Sequence, residues 1–404
     1  MLIKFALIKE RKTPPDRRVV FSPNKCQKVL HFFPNAQIKV ESSNVRIFKD
    51  EAYEEVDINV TNDVSDCDVF LGVKEVPISA LIPNKKYFFF SHTIKRQPYN
   101  RELLQAILEK KIELYDHETI VNEKGFRLIG FGRYAGIVGA YNGFRALGLR
   151  DNLFELPKVE DLHDFAEMKV ELDKIEIPPI KIILTGKGKV AKGAKEILDH
   201  LKLREVSVEN YLSKNYKNAV FCNVDVEEYN KRIDGSKFNK KEFFDNPTEY
   251  EGNFMRFAKV SEMYIAGHFF GEGAPYLFTR EDARHPEFHI NLVADISCDI
   301  DGPIASTLRA TTIANPYYGY NPINETEELF KAANTITVMS VDNLPCELPK
   351  DASEGFGTMF FNQVMPAFFN GDMDGVLERA RMTTHKGELT KRFSYLQDYV
   401  DSLD

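Results

Sequence analysis

The chain has 404 residues, of which 43% are hydrophobic and 28% are charged, and its net charge is −8. This composition is typical of a globular protein, and the length predicts two or three domains, since single cores rarely grow beyond roughly 250–300 residues. The negative charge and the lack of a basic, aromatic-rich run argue against nucleic-acid binding. The five cysteines form no CxxC pair, so neither a zinc ribbon nor a disulfide framework is indicated.

The first ten residues, MLIKFALIKE, are too short and too charged for a signal peptide and predict a first strand. No apolar run approaches the roughly 20 residues that cross a bilayer. We therefore expect a cytoplasmic protein that does not bind membranes.

Strands and helices alternate in the first part of the chain. Residues 69–73 and 87–91 are short apolar runs, typical of parallel strands that are buried on both faces. Residues 101–110 have the apolar spacing of a helix, and residues 134–149 predict a buried helix that links two domains.

The second part of the chain predicts another parallel sheet, followed by helices from residue 352 onward. The strand-like runs are residues 180–185, 206–208, 219–221, 263–266, 292–295 and 335–340. These patterns predict an α/β fold with two Rossmann-like domains, whose parallel sheets flank a cleft, and with C-terminal helices that return to the first domain. The expected divisions are 1–137, 138–345 and 346–404.

A glycine-rich segment, GKGKVAKG, directly follows the strand predicted at residues 180–185. In a dinucleotide-binding fold the first glycine permits a tight turn, the second lets the backbone approach the diphosphate, and a third small residue lets the helix pack on the strand. The helix start favours a phosphate through its N–H groups and its dipole. The residues expected at the dinucleotide are therefore Gly186, Gly188, Lys189, Val190 and Ala191.

The cofactor type depends on charges around this segment. Glu209 ends the next predicted strand, at the spacing of the acid that binds the ribose hydroxyls, and such an acid favours NAD because it repels a 2′-phosphate. Lys187, Lys189 and Lys192 add positive charge and favour NADP. The sequence therefore predicts NAD(P)H and leaves the choice between NAD and NADP open.

Titratable side chains follow the predicted strands of the first domain. Lys74 comes directly after residues 69–73 and His92 directly after residues 87–91, at the edge where open α/β sheets place their ligands. Both residue types can transfer protons near neutral pH. Glu118 follows another strand-like run and would set the charge state of the pair.

Two further sets of polar residues are candidate sites. Arg17 and Arg18 follow the first strand, and the planar fork of an arginine can clamp a carboxylate, although such a pair is commonly only a solvated surface. Neither the carboxylates at residues 295–301 nor the pair His285 and His289 has the partners that a metal site needs, so we predict none.

In order and spacing, these residues resemble the alanine dehydrogenase and saccharopine dehydrogenase superfamily over nearly the whole chain. Within it, the chain is most similar to the lysine–ketoglutarate reductase domain, which forms saccharopine. The matching segments are Lys9-Glu10 with Arg17-Arg18, Val73-Lys74-Glu75, Phe90-Ser-His92-Thr-Ile-Lys95, Tyr115-Asp-His-Glu118, Phe131-Gly-Arg-Tyr-Ala-Gly136, the glycine segment, Asp295 to Gly302, Thr311-Thr-Ile313, Val341-Asp-Asn343-Leu-Pro345 and Thr384-His385-Lys-Gly387-Glu-Leu-Thr390.

The resemblance implies an oxidoreductase that condenses L-lysine with 2-oxoglutarate and reduces the imine with hydride from NAD(P)H, or catalyses the reverse. Its partners would be an amino acid and a 2-keto acid, residues 1–137 would be the substrate domain, and a homodimer is compatible with this interpretation. The implied roles are an acid–base pair for Lys74 and His92, modulation for Glu118, carboxylate binding for Arg18 with Arg17, a place near the nicotinamide for Asp299, and a cofactor contact for Asn343.

Two alternatives remain open at this point. An alanine dehydrogenase or an opine-type dehydrogenase would keep the fold and use another amine and keto acid. A non-catalytic dinucleotide sensor or a transhydrogenase-like subunit would bind cofactor without turnover, but would need none of Lys74, His92, Arg18 and Asp299. The bifunctional relatives carry a further domain that oxidises saccharopine, and we expect that activity to be separate or absent here.

Overall fold

Two units make up the chain in the computed structural model, which describes residues 2–402. The first unit consists of residues 2–131 and 349–402, and the second unit is the continuous stretch Gly132–Leu348. The first unit is therefore assembled from two stretches of sequence, with the whole second unit inserted between them.

A six-stranded, fully parallel sheet is the centre of the first unit, in the order β3-β2-β1-β4-β5-β6. Its strands are β1 (Ile3–Leu7), β2 (Ala36–Glu41), β3 (Asn59–Thr61), β4 (Val69–Leu71), β5 (Lys86–Phe89) and β6 (Glu113–Asp116), and the helices along them are α1 (Pro23–Phe32), α2 (Asp50–Glu54) and α3 (Arg101–Glu109). Every residue of β4 is buried, which explains why its sequence is a continuous apolar run.

The second unit is built on a mixed eight-stranded sheet in the order β15-β14-β16-β13-β12-β7-β9-β8, with β10 and β11 forming a separate pair. Its helices are α4 (Gly132–Asp151), α5 (Phe165–Leu172), α6 (Lys189–His200), α7 (Val208–Ser213), α8 (Val226–Tyr229), α9 (Lys240–Asp245), α10 (Met255–Ala258) and α11 (Arg280–Arg284). Its strands are β7 (Lys181–Thr185), β8 (Arg204–Glu205), β9 (Val220–Val224), β10 (Asn230–Arg232), β11 (Tyr250–Gly252), β12 (Met263–Ala266), β13 (Leu292–Asp295), β14 (Tyr317–Asn321), β15 (Thr326–Glu328) and β16 (Ile336–Met339).

This sheet differs from the predicted parallel sheet at both of its ends. At one end, β14 runs antiparallel to both β16 and β15, so a hairpin extends the sheet. At the other end, β8 has only two residues, both exposed, and pairs with β9 and not with β7. Between these ends, the five central strands β16, β13, β12, β7 and β9 are all parallel, as predicted.

Glycines allow α4 and α6 to cross closely within the second unit. A Cβ added at Gly136 would lie 1.9 Å from the carbonyl oxygen of Val190, and one added at Gly193 would lie 1.9 Å from that of Arg133. Larger side chains at these positions would force the helices apart. The predicted buried helix is thus α4, and its glycines hold the start of α6 in place.

The C-terminal stretch covers both faces of the first sheet. It contains α12 (Pro349–Gln363), α13 (Met365–Phe369), α14 (Val376–Ala380) and α15 (Gln397–Asp401). On one face the ring centroids of Phe5 and Phe368 are 5.1 Å apart. On the other face, Met382 and Phe393 belong to the same buried cluster as Phe70 of β4. Among residues 2–402, no helix is both long enough and apolar enough to cross a bilayer.

Candidate functional site

Lys74, His92 and Glu118 follow three neighbouring strands of the first unit. Because β4, β5 and β6 are adjacent and parallel, their carboxyl ends place these residues at one edge of the sheet. His92 Nδ1 lies 3.4 Å from Glu118 Oε2, and His92 Nε2 lies 3.8 Å from Glu75 Oε1. The imidazole is therefore flanked by two carboxylates, and one of them, Glu75, has no predicted role.

The backbone of His92 is in the left-handed region, with φ 55°. This conformation is uncommon for a residue with a side chain, and such residues are often found at functional sites. The ring of Phe90 lies roughly parallel to the imidazole, with centroids 6.1 Å apart. The turn after β5 thus directs His92 towards Glu118, and the ring of Phe90 lies beside the imidazole.

A buried carboxylate, Asp116, joins the ends of β5 and β6. It accepts hydrogen bonds from the Ser91 N–H at 2.8 Å, the Ser91 hydroxyl at 2.5 Å and the Glu118 N–H at 2.6 Å. Burial raises the pKa of Asp116, and these donors oppose the rise. This function of Asp116 was not predicted, although Asp116 lies in the segment Tyr115-Asp-His-Glu118. Asp116 is the residue that sets the relative position of the turns carrying His92 and Glu118.

Glu118 is held as a carboxylate by its surroundings. Burial raises its pKa, but the hydrogen bond with His92 and the positive charges of Arg127 and Lys95 together lower the pKa to about 2. Arg127 Nη2 lies 3.3 Å from Glu118 Oε1. Glu118 therefore carries a negative charge beside the imidazole at any pH near neutrality.

The strand end that carries Lys74 is fixed by Glu10. The Glu10 carboxylate accepts hydrogen bonds from the backbone N–H groups of Val73, at 2.6 Å, and Lys74, at 2.9 Å. Burial and the nearby charge of Asp16 raise the pKa of Glu10 to about 7. The segment Lys9-Glu10 thus acts on the backbone at the end of β4.

Arg17 and Arg18 differ sharply in their surroundings. Arg17 is exposed, whereas Arg18 and Asp16 are both only 3% exposed. Arg18 binds Asp16 through Nε, at 3.0 Å, and Nη2, at 2.6 Å, and its guanidinium lies 4.2 Å from the ring centre of Phe131. One edge of the Arg18 fork is therefore occupied by Asp16, so a second anion would have to use the other side of the guanidinium.

The predicted glycine turn lies in the second unit, between β7 and α6. Gly186 has φ +96°, and a Cβ added there would lie 2.5 Å from the carbonyl oxygen of Gly267, so only glycine fits. Gly188 precedes the first residue of α6, and a Cβ added there would meet no atom within 4 Å. Open space in front of a helix start is what a diphosphate requires, so these residues fit a dinucleotide.

The strand predicted at residues 206–208, on which the role of Glu209 depends, is wrong. Residues 206–208 are not a strand, because the Ser207 side chain accepts a hydrogen bond from the Asn210 N–H and caps α7, which places Glu209 in a helical turn, exposed. The strand next to β7 is β9, and the acid that follows it is Asp225. Asp225 caps α8 and forms an ion pair with Lys240.

Asp299 and Asn343 follow the neighbouring strands β13 and β16 of the second unit. Asp299 is exposed and Asn343 is partly buried. By contrast, Asp295 is fully buried, and its carboxylate accepts hydrogen bonds from the hydroxyls of Ser297 and Thr307, both at 2.6 Å. Asp295 therefore organises the loop, whereas Asp299 and Asp301 are both exposed.

Comparisons with known proteins agree with this architecture. Residues 6–138 match the family model of the alanine dehydrogenase/PNT N-terminal domain. The chain is 29% identical to the alpha-aminoadipic semialdehyde synthase of Arabidopsis thaliana over 426 residues, which cover 94% of this chain and 40% of that protein. It is 24% identical to the L-lysine-forming, NAD(+) saccharopine dehydrogenase of Yarrowia lipolytica over 364 residues, which cover 88% of this chain and 89% of that protein.

The chain spans less than half the length of the semialdehyde synthases that it matches. Among solved structures, an L-alanine dehydrogenase matches with a TM-score of 0.67 and 15% identity, and the match covers 98% of this chain and 100% of that one. This likeness confirms the predicted α/β fold. Residues 6–138 therefore match the N-terminal domain of alanine dehydrogenases, the chain is similar in sequence to saccharopine dehydrogenases over most of its length, and its fold is that of an alanine dehydrogenase.

Proposed function

We propose that this protein is an NAD(P)H-dependent reductase that joins L-lysine to 2-oxoglutarate, forming saccharopine, or catalyses the reverse reaction. The observation that carries the proposal is the group at the edge of the first sheet, where His92 lies between two carboxylates and Lys74 follows the adjacent strand. The relatives named saccharopine dehydrogenase and alpha-aminoadipic semialdehyde synthase support this choice of substrates.

Forming the imine requires a group that first accepts a proton and later returns it. The lysine ε-ammonium must lose a proton before its nitrogen attacks the ketone carbon, and the resulting hydroxyl must gain a proton before it leaves as water. Lys74 and His92 would share these transfers, as positioned general acid–base groups. Glu118, held as a carboxylate, would orient the imidazole and offset positive charge on it.

Substrate carboxylates need cationic partners in the same unit. Arg18 would supply a charge fixed in place by Asp16, and the exposed Arg17 would add a second, more mobile one. Asp299 would lie near the reacting amine, as the resemblance to alanine dehydrogenases implies. These assignments pair two substrate carboxylates and the reacting amine with side chains of opposite charge.

The second unit would bind the dinucleotide. The backbone of Gly186, Gly188 and the first turn of α6, with Lys189 and Val190, would hold the diphosphate, and Asn343 would contact the cofactor from the loop after β16. When bound, the cofactor supplies the hydride that reduces the imine. Asp225 follows the strand next to β7, so Asp225 rather than Glu209 would be the acid near the ribose.

Charges near Asp225 leave the choice of cofactor to experiment. A free acid at this strand end would favour NAD. However, Lys240 pairs with Asp225, and Lys187 Nζ donates to the backbone oxygen of Asn223 at 2.7 Å, so two cations lie close to the same strand end. NADH and NADPH should therefore both be tested.

Gly188 offers a direct test of the dinucleotide site. A Gly188→Val side chain would enter open space, and the backbone at Gly188 has φ −79°, which any residue adopts, so the fold should tolerate it. The branched side chain would nevertheless fill the room that the diphosphate needs. We expect the Kd for NAD(P)H, measured by calorimetry, to rise at least about tenfold. An unchanged Kd, with an unchanged melting temperature, would place the cofactor elsewhere.

The activity itself is tested by a panel of substrate pairs. NADH and NADPH oxidation would be followed with 2-oxoglutarate or pyruvate, each combined with lysine, ornithine or ammonia. Turnover is expected with 2-oxoglutarate and lysine. Turnover with pyruvate and ammonia alone would identify an alanine dehydrogenase, and cofactor binding without turnover in any combination would identify a binding module.

A further inference from the structure

A buried histidine, His268, lies at the carboxyl end of β12 and has no part in the function proposed above. Its Nδ1 is 3.0 Å from the Thr185 hydroxyl oxygen and 3.4 Å from the Tyr264 hydroxyl oxygen, and the two hydroxyls are 3.0 Å apart. Thr185 is the last residue of β7, so this hydrogen-bonded group joins the ends of two neighbouring strands.

The other ring nitrogen of His268 is unsatisfied. Nε2 is buried, and no described residue offers it a hydrogen-bond partner. Burial lowers the pKa of His268 to about 4, so the ring is neutral near pH 7 and carries one proton. If Tyr264 donates to Thr185 and Thr185 donates to Nδ1, that proton is on Nε2, which makes Nε2 a buried donor without an acceptor. Such donors are rare in folded proteins because they are destabilising.

The position of His268 indicates which acceptor is missing. A Cβ added at Gly186 would lie 3.0 Å from the Cα of His268, so this residue borders the first glycine of the turn. In the sheet, β7 lies between β9 and β12, and the chain moves to opposite sides of β7 in reaching them. Ligands of open α/β sheets bind at this kind of switch point, outside the carboxyl ends of the strands.

We propose that the Nε2–H group of His268 donates a hydrogen bond to a diphosphate oxygen of the bound dinucleotide. The inference rests on the proposed function, because it requires a dinucleotide at the glycine turn. Thr185 and Tyr264 act as positioning residues that fix the ring and its proton. The acceptor belongs to the adenosine diphosphate half of the cofactor, so ADP should sense His268 as strongly as the whole dinucleotide does.

Two variants separate the two ring nitrogens. In His268→Asn the side-chain amide can replace Nδ1 towards Thr185 but does not reach the position of Nε2, whereas the longer amide of His268→Gln can reach it. We expect His268→Asn to raise the Kd for NADH, NADPH and ADP at least about tenfold, as loss of a hydrogen bond to a charged group would. His268→Gln should remain within about threefold of wild type. Calorimetry gives these values without turnover, and long-range ¹H–¹⁵N spectra should show the Nε2 resonance of His268 shifting when ADP binds.

Three results would overturn the proposal. Wild-type affinity in His268→Asn would show that Nε2 makes no contact with the ligand. Equal weakening in both variants, together with an equal fall in melting temperature, would show a structural role only. A loss confined to the whole dinucleotides, with ADP unaffected, would exclude the diphosphate as the acceptor. If wild-type protein bound neither NADH nor NADPH, the proposed function would fail first, which is a distinct outcome.

Discussion

Replacing Lys74 with methionine is expected to lower kcat for the lysine and 2-oxoglutarate reaction by about 100- to 10,000-fold, the range that positioned acid–base groups contribute. Methionine keeps much of the length and apolar stem of lysine but cannot carry a proton. The strand end is fixed by the backbone N–H of residue 74, which donates to the Glu10 carboxylate. A change of side chain leaves this hydrogen bond in place. The Kd for NAD(P)H should therefore change by less than about threefold.

The measurement combines steady-state kinetics with calorimetric cofactor binding. Lys124→Met is a suitable control, because Lys124 is an exposed lysine of the same unit in the turn after β6. It should leave kcat and KM near wild type. An equal loss of kcat and of cofactor affinity in Lys74→Met would contradict a proton-transfer role and would point to a general disturbance of the site.

The second large effect concerns stability. Arg18→Met removes the guanidinium that binds the buried Asp16 carboxylate through two hydrogen bonds, and both side chains are only 3% exposed. Removing one member of a buried ion pair typically costs about 3–5 kcal/mol, because the remaining charge keeps its desolvation penalty. We expect a loss of this size in the free energy of unfolding of the first unit, measured by hydrogen exchange of its strand amides in increasing urea.

A matched control is available in the second unit, where Arg309 and Glu327 form a bidentate pair whose side chains are 44% and 42% exposed. Arg309→Met should cost no more than about 1 kcal/mol, since solvent screens such pairs. A double variant, Asp16→Asn with Arg18→Met, should recover part of the stability lost in Arg18→Met. If Arg18→Met were as mild as Arg309→Met, the buried pair would not be a principal support of the first unit.

The elements predicted well from sequence are those whose burial requires a continuous run of apolar residues. The strands β12 and β13 were predicted to the residue, because each is a run of four buried residues. The edge strand β8 was missed because both of its residues are exposed, and the apolar pattern of residues 206–208 was mistaken for a strand although Ser207 begins a helix there. The antiparallel strand β14 was missed as well, although Asn-Pro turn signals stand at both ends of its tyrosine-rich run, at residues 315–316 and 321–322.

In the candidate site, too, some residues could be predicted from the apolar pattern and others could not. Lys74 and His92 could be found because each comes directly after an apolar run, and a strand end is visible in sequence. The functions of Asp116 and His268 could not be found in this way. Each depends on hydrogen bonds between strands that are far apart in the chain, such as the bond from Ser91 to Asp116 and the contact of Thr185 with His268. Only the tertiary structure brings these partners together.

The division of the first unit between two distant stretches has a consequence for its folding during synthesis. The parallel sheet of residues 2–131 lacks the covering side chains of Phe360, Phe368 and Phe393 until the ribosome has passed residue 393. The second unit, which is continuous, contains all of its own strands by residue 339. Nascent chains should therefore complete the inserted unit first, while both faces of the earlier sheet still expose apolar surface that chaperones can bind.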